Sequence, residues 1–438
     1  VLQKQAQGLI AVPYNAISYQ QALKEICALE KFGSKLGLER ITRMLRLLGN
    51  PQKRCRCILV GGSNGKGSTV EMIGSILKED GFSVGTYFSP QIEEFPERIR
   101  VDGRNAGKKE IASAYAEVNG ACSSNRIPAT FFEVVTAMAL LIFARRKCDA
   151  AVLEVGLGGR LDATNAVEPE ISAIASLSLE HTDVLGRTIA AIAHEKCGIA
   201  RKGRKLVCGF LREDAKEAVK EECKKIGARP LFVEDAVKFD SVEEKGGRYS
   251  FKAEFGSSSY DLSLCAPGEF QVSNALAALA VCREMDCGRK AIEKGLAAAK
   301  PKYRFQAISR RPLVIADCAH NPEAAAVLAS EVKKIPSTRK VLLFSAMRDK
   351  DYAEVLGILA PCFDEIVLTQ VSLKRSATIG ELQKAARKAG ATAFQMKKPK
   401  SALMSAKKRA GRGGLLMIAG SIYLLAELFG RDKRRMAQ

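Results

Sequence analysis

The segment Ile58-Leu59-Val60-Gly61-Gly62-Ser63-Asn64-Gly65-Lys66-Gly67-Ser68-Thr69 has the residue types of a phosphate cradle. An apolar run leads into a glycine-rich turn, and an apolar helical pattern (Met72, Ile73, Ile76, Leu77) follows. Glycines let backbone N–H groups approach phosphate oxygens, a helix N-terminus adds a positive dipole end, and Lys66 adds a full charge. The spacing departs from a Walker A sequence, in which Ser or Thr directly follows the lysine; here Gly67 does. Further clusters follow other predicted strands. Glu154 opens Glu154-Val155-Gly156-Leu157-Gly158-Gly159-Arg160-Leu161-Asp162, and a carboxylate at a strand end could hold Mg²⁺. His181 lies in Ser178-Leu179-Glu180-His181-Thr182-Asp183, and Lys196 ends a helix in Glu195-Lys196-Cys197-Gly198-Ile199. A structural histidine and an exposed helix-end lysine are the plain alternatives. Asp317, in Ala316-Asp317-Cys318-Ala319-His320-Asn321-Pro322, could accept ribose hydroxyls, while Asp317 or Asn321 could cap a helix.

Positioning these groups requires buried strands that alternate with helices. Apolar, β-branched runs at 57–60, 150–155, 171–176, 313–316, 341–344, 365–369 and 415–419 predict an α/β protein with doubly wound parallel sheets. Residues 235–264 differ, being polar, rich in Gly and Ser, and alternating as Arg248-Tyr249-Ser250-Phe251-Lys252-Ala253. That stretch predicts an antiparallel hairpin insertion. A helical Ala-rich segment at 274–282 precedes Lys300-Pro301-Lys302, and a new α/β pattern begins near Pro312. The expected division is residues 1–300 and 301–438.

The 438 residues carry 69 Lys+Arg against 48 Asp+Glu, a net of +21, and 47% hydrophobic residues exclude disorder over most of the length. Residues 301–438 hold 26 Lys+Arg and 11 Asp+Glu, so most of the excess lies there. Such a surface favours acidic ligands without choosing among them. Thirteen scattered cysteines and three histidines give no zinc spacing, and reduced thiols in the cytoplasm are the expectation. The apolar stretches 131–144 and 414–429 are short or interrupted and read as buried elements, and no secretory signal pattern is present.

Taken in order, these motifs resemble those of the folylpolyglutamate synthase and dihydrofolate synthase family, relatives of the Mur ligases. The resemblance runs through Lys35-Leu36-Gly37-Leu38-Glu39-Arg40-Ile41, Leu48-Gly49-Asn50-Pro51-Gln52, the glycine-rich loop and Tyr87-Phe88-Ser89-Pro90. It continues through Glu97-Arg98-Ile99-Arg100-Val101-Asp102-Gly103, Thr130-Phe131-Phe132-Glu133, the clusters at Glu154 and Lys196, Arg304-Phe305-Gln306, the Asp317 cluster and Asp349-Lys350-Asp351. The resemblance implies a P-loop-containing, Mur-ligase-like α/β domain and a smaller Rossmann-like C-terminal domain, with the site in the cleft between them. It implies that Asn64, Gly65, Lys66, Gly67, Ser68 and Thr69 hold ATP phosphates, and that Asn274, Arg304, Asp317 and His320 complete the nucleotide site. By the same resemblance Ser89, Glu154 and His181 are Mg²⁺ ligands, and Lys196 is carbamylated to serve a second metal position. Lys66, Lys196 and His181 are the expected catalytic residues.

Five positions depart from the family pattern. Gln91 stands where His is usual, Ile92 for Leu, Glu180 for Asp, Phe270 for His and Cys318 for Gly. The activity implied is ATP- and Mg²⁺-dependent ligation of L-glutamate to folate or dihydropteroate through an acyl phosphate, in a cytoplasmic monomer without nucleic-acid or membrane partners. Two alternatives stand beside it. One is a Mur-type ligase of cell-wall precursors, although only about 60 residues precede the loop where that class has a further domain. The other is a basic nucleic-acid-binding NTPase, suggested by 397–412, which has no aromatic residue on which a base could stack.

Overall fold

The computed structural model describes residues 17–33, 35–245, 248–265 and 268–431. The ends of the two expected segments and the turn at 246–247 of the expected hairpin lie outside the described residues. Eight strands form the first sheet: β1 (Arg56–Gly61), β2 (Val84–Tyr87), β3 (Ile99–Val101), β4 (Arg104–Asn105), β5 (Ala150–Glu154), β6 (Pro169–Ile174), β7 (Lys205–Cys208) and β8 (Arg229–Phe232). Their order is β4-β3-β2-β5-β1-β6-β7-β8; near one edge β3 is antiparallel to both β2 and β4, and the other pairings are parallel.

β1 shows why the central strands are apolar throughout. Its side chains alternate between two cores: Cys57 and Leu59 join the core with the Phe131–Arg145 helix, while Ile58 and Val60 join the core with the Lys66–Glu79 and Phe270–Glu284 helices. A strand covered on both faces reads as an unbroken hydrophobic run. The Phe131–Arg145 helix is buried along nearly its whole length and starts with a Thr130/Glu133 capping box. Among the described residues no helix is long and apolar enough to cross a membrane.

The expected hairpin is part of a larger unit. β11 (Arg248–Phe255) and β12 (Ser258–Leu264) pair as predicted, with Tyr249, Phe251 and Ala253 turned inward. β9 (Val237–Phe239) and β10 (Glu243–Lys245) also pair with β11, giving four antiparallel strands. A third sheet has the order β13-β14-β18-β15-β16-β17. Its strands are β13 (Gln306–Arg310), β14 (Leu313–Ala316), β15 (Lys340–Phe344), β16 (Glu365–Leu368), β17 (Ala393–Gln395) and β18 (Leu415–Ala419). Only β13 is antiparallel. The 414–429 stretch therefore divides into a central strand and the Ile422–Phe429 helix.

Candidate active site

The carboxyl ends of β1, β5 and β6 face those of β14, β15 and β18 across one cleft of about 910 Å³. Such strand ends are where open α/β sheets take ligands. On the first side, Gly62 has φ +136, and a Cβ there would meet the backbone nitrogens of Ala175 and Ser176 at 3.0 Å. Gly65 has φ +84, and its Cβ would lie 2.2 Å from Asn274 Oδ1. Both positions therefore require glycine. Ser63 Oγ donates to the Ser178 carbonyl at 3.1 Å, and Ser176 Oγ accepts from Asn64 N at 2.8 Å, so the turn is anchored to the chain after β6. Lys66 Nζ donates to the Gly62 and Ser63 carbonyls at 2.7 and 3.1 Å, which holds the ammonium over the loop.

Gly67 lies beside Glu154: a Cβ there would meet Oε2 at 3.4 Å, an ordinary contact. Asn64, Gly65, Lys66 and Ser68 line the cleft. Ser68 Oγ is buried without a hydrogen-bond partner, whereas Thr69 Oγ1 turns back to the Gly65 carbonyl at 3.1 Å. Gly67 and Thr69 support the loop from behind rather than lining the cleft.

Glu154 is buried and accepts from Ser89 N at 3.0 Å. Burial raises its carboxyl above the ordinary range, and the charge of Lys66 and the Ser89 N–H pull against that rise. Ser89 Oγ is reached by Arg98 Nη1 at 3.3 Å, and Arg98 Nε donates to Gln91 Oε1. His181, at φ 47, presents Nε2 to Lys350 Nζ at 3.0 Å. Burial and Lys350 lower its pKa, so the ring is neutral and accepts from the ammonium. Lys196 is 1% exposed and pairs with Glu180 at 2.7 Å in a small recess beside the cleft that Lys66 and His181 also line. Burial pushes Lys196 down to about 8, with Glu180 opposing the shift. Burial would raise Glu180, but Lys196 and Lys66 hold it at about 2.

On the facing side, Asp317 accepts from Phe305 N and Ala319 N, each at 2.7 Å. One oxygen thus fixes the backbone next to Arg304 and the other the loop after β14, while the helix cap is Asn321, whose Oδ1 accepts from Ala324 N at 2.8 Å. His320 Nδ1 donates to the Cys318 carbonyl at 2.8 Å, which leaves Nε2 with its lone pair. Burial, with Lys350 adding to it, drives that histidine down to about 4. Asn274, Arg304, Asp317 and His320 all line the cleft. Three contacts cross it that no local motif announces. Asn64 Nδ2 donates to Glu323 at 2.6 Å, Asn321 Nδ2 donates to Asn64 Oδ1 at 2.9 Å, and Lys350 meets His181. The sequence signal for Lys350 is its place between β15 and Asp351, which caps the Tyr352–Leu359 helix.

Among the described residues no three His, Cys, Asp or Glu side chains gather into a closed metal cage. Glu154 and Ser89 instead offer two hard oxygen donors beside the phosphate loop. That set suits a cation such as Mg²⁺, which uses one or two carboxylates and takes its remaining ligands from water and substrate phosphates. His181 and Lys196 are held by Lys350 and Glu180, so a second metal position fits only once those contacts open.

The family model of the Mur ligase middle domain matches residues 60–282, and that of the Mur ligase glutamate ligase domain matches 303–422. A Bacillus subtilis dihydrofolate synthase/folylpolyglutamate synthase is 31% identical over 431 residues, covering 95% of this chain and 99% of the relative. A probable bifunctional folylpolyglutamate synthase/dihydropteroate synthase of Haloferax volcanii is 35% identical over 425 residues, covering 94% of this chain and 50% of the relative. The chain thus spans about half the length of that haloarchaeal protein, and of a similar one from Halobacterium salinarum. Among solved structures, Escherichia coli FolC in complex with DHPP and ADP superposes with a TM-score of 0.85 at 30% identity, over 94% of this chain and 98% of that one. A bifunctional folylpolyglutamate synthase/dihydrofolate synthase with Mn, AMPPNP and L-glutamate bound gives 0.84 at 31% identity, over 94% and 98%.

Proposed function

The chain belongs to the Mur ligase family, in its folylpolyglutamate synthase/dihydrofolate synthase group, and we propose that it joins L-glutamate to a folate-type pterin carboxylate at the expense of ATP. The observation that carries this reading is the convergence of Lys66 and Glu154 with Arg304, His320 and Lys350 on one cleft. In the first step the substrate carboxylate oxygen bonds to the γ-phosphorus and the bond to the β-phosphate oxygen breaks, releasing ADP. The glutamate amine then attacks the acyl carbon, phosphate leaves, and the amine proton must be accepted. Neutral His320, with Nδ1–H tied to Cys318, turns Nε2 as a hydrogen-bond acceptor toward the cleft.

Both steps bring anions together, so positive charge is the main requirement. Lys66 and the loop N–H groups hold the phosphates, and Arg304 and Lys350 approach from the other side. A divalent cation held by Glu154 and Ser89 would neutralise phosphate charge. A second cation would take His181 and Lys196, after the Lys196 amine adds to CO₂, forms an N–C bond and sheds a proton to solvent. Its lowered pKa supports that addition, because only the neutral amine reacts.

We divide the chain near residue 300, a reading supported by the two family matches and by the absence of any described sheet spanning that point. The thirteen cysteines are free thiols, which supports a reducing, cytoplasmic setting. Purified protein with Mg²⁺, ATP, glutamate and either dihydropteroate or tetrahydrofolate should release ADP and a glutamylated pterin. Release of neither would end this reading.

A further inference from the structure

Three segments that each deliver a residue to the cleft meet at a single carboxylate outside it. Glu93 lies in the loop between β2 and β3 that carries Ser89 and Arg98, and its side chain is 13% exposed. Lys302 Nζ and Tyr303 OH reach its Oε1 at 3.3 and 3.1 Å, and the two residues immediately precede Arg304. Arg431, just beyond the Ile422–Phe429 helix that begins beside the cleft, reaches Oε2 at 3.1 Å and donates its backbone N–H to the Glu93 carbonyl at 2.7 Å. Tyr303 also stacks on Phe429, with ring centroids 5.7 Å apart. The loop is braced from within, since Glu97 Oε2 accepts from the backbone N–H groups of Ile92 and Glu93 at 3.1 Å each.

The chain around Arg304 needs such bracing. Tyr303 and Phe305 have φ values of 53 and 54, left-handed conformations that side-chain-bearing residues adopt only when surroundings impose them. Phe305 is held by Asp317, whereas Tyr303 is held through Gln306, the Phe429 ring and Glu93. Two cations and a phenol converging on one half-buried carboxylate form charge-assisted bonds stronger than neutral ones.

We propose that Glu93 is a positioning residue for ligation: through Tyr303, Lys302 and Arg431 it fixes the 301–305 linker and the end of the last helix against the Ser89 loop. Arg304 is thereby aimed at the nucleotide held by the first sheet. The proposal rests on the ligase reading above. Glu93 touches neither nucleotide nor metal donors, so its loss leaves phosphate-loop binding in place and impairs transfer.

The test compares wild type, Glu93→Gln, Tyr303→Phe and the double variant by ligation kinetics, thermal melting and hydrogen exchange of 301–305 with ATP bound. Glu93→Gln should lower kcat about tenfold or more, with a fall in melting temperature too small to leave the protein unfolded under assay conditions. The double variant should be no slower than Glu93→Gln alone, and Glu93→Asp should recover part of the rate. Wild-type kcat in Glu93→Gln, multiplying losses in the double variant, or a rate that falls only in step with melting would overturn the proposal. If wild type does not ligate, the ligase reading fails by itself. The exchange arm still decides on Glu93: faster exchange at 301–305 in Glu93→Gln supports it, and unchanged protection overturns it.

Discussion

The two sides of the cleft grip in different ways. At the β1 end the chain uses backbone: two glycines in conformations closed to other residues, a loop stitched to the chain after β6, and a lysine folded over it. At the β14 and β15 ends it uses side chains from separate loops: Arg304, whose neighbouring backbone Asp317 holds, His320, tied to Cys318, and Lys350, which meets His181. A backbone cradle can be complete before substrate arrives. Side chains brought from another sheet act only when the two sheets are correctly apposed. In the proposed reading the first side holds the phosphates and metal, and the second must close on them before transfer begins.

The strongest attempt to break this contrast is Lys196→Ala. It leaves Glu180 buried without its cation, which costs about 3–5 kcal/mol in melting experiments, and ligation should be abolished. Glu180→Gln with Lys196→Met should restore most of the stability and none of the activity. Short carboxylic acids should return some turnover to Lys196→Ala, and full activity without them would remove the carbamate role. The pH dependence has a definite sign. With Lys196 lowered to about 8, the neutral amine is the minor form below that pH, so activity at fixed dissolved CO₂ should climb toward pH 8. The acid-rescued variant should lack that limb.

Lys66→Ala comes next, with kcat reduced about 10²–10³-fold by loss of one preorganised positive group. Glu154→Gln separates function from fold. Burial raises the Glu154 carboxyl, so its charge is a burden in the metal-free protein. The variant should melt at the same or a higher temperature while losing the Mg²⁺-dependent shift and turnover. An unchanged metal response would take Glu154 out of the site. Asn64→Ala is the mildest: it removes the contacts to Asn321 and Glu323 and should raise the KM for ATP about 3- to 10-fold, with little change in melting.

What the sequence disclosed follows the same division. The phosphate loop is contiguous, so its strand, glycines, lysine and helix could all be read in a dozen residues. Seven buried strands were legible as apolar runs, and 313–316 and 415–419 coincide with β14 and β18, whereas the short buried strands β2 and β7 were not read. β9 and β10 went unseen because three-residue strands carry no readable period, and Glu243, Glu244 and Lys245 are all exposed. The Lys350–His181 contact spans 169 residues and depends on how the sheets meet. The basic stretch 397–412 forms the Pro399–Ala410 helix, where Arg409 is tied to Glu365 and lies over the Phe394 ring. The structure gives the other basic side chains of that helix no place in the cleft.

The central claim is that both sides of the cleft serve one ligation. The most direct measurement is a mass-resolved assay with Mg²⁺, ATP and L-glutamate against dihydropteroate, dihydrofolate and tetrahydrofolate, with ADP followed in parallel. The account predicts ADP and a pterin extended by one glutamate in equal amounts, both requiring glutamate. ADP release that ignores glutamate and pterin, or no turnover with any of the three, would contradict it.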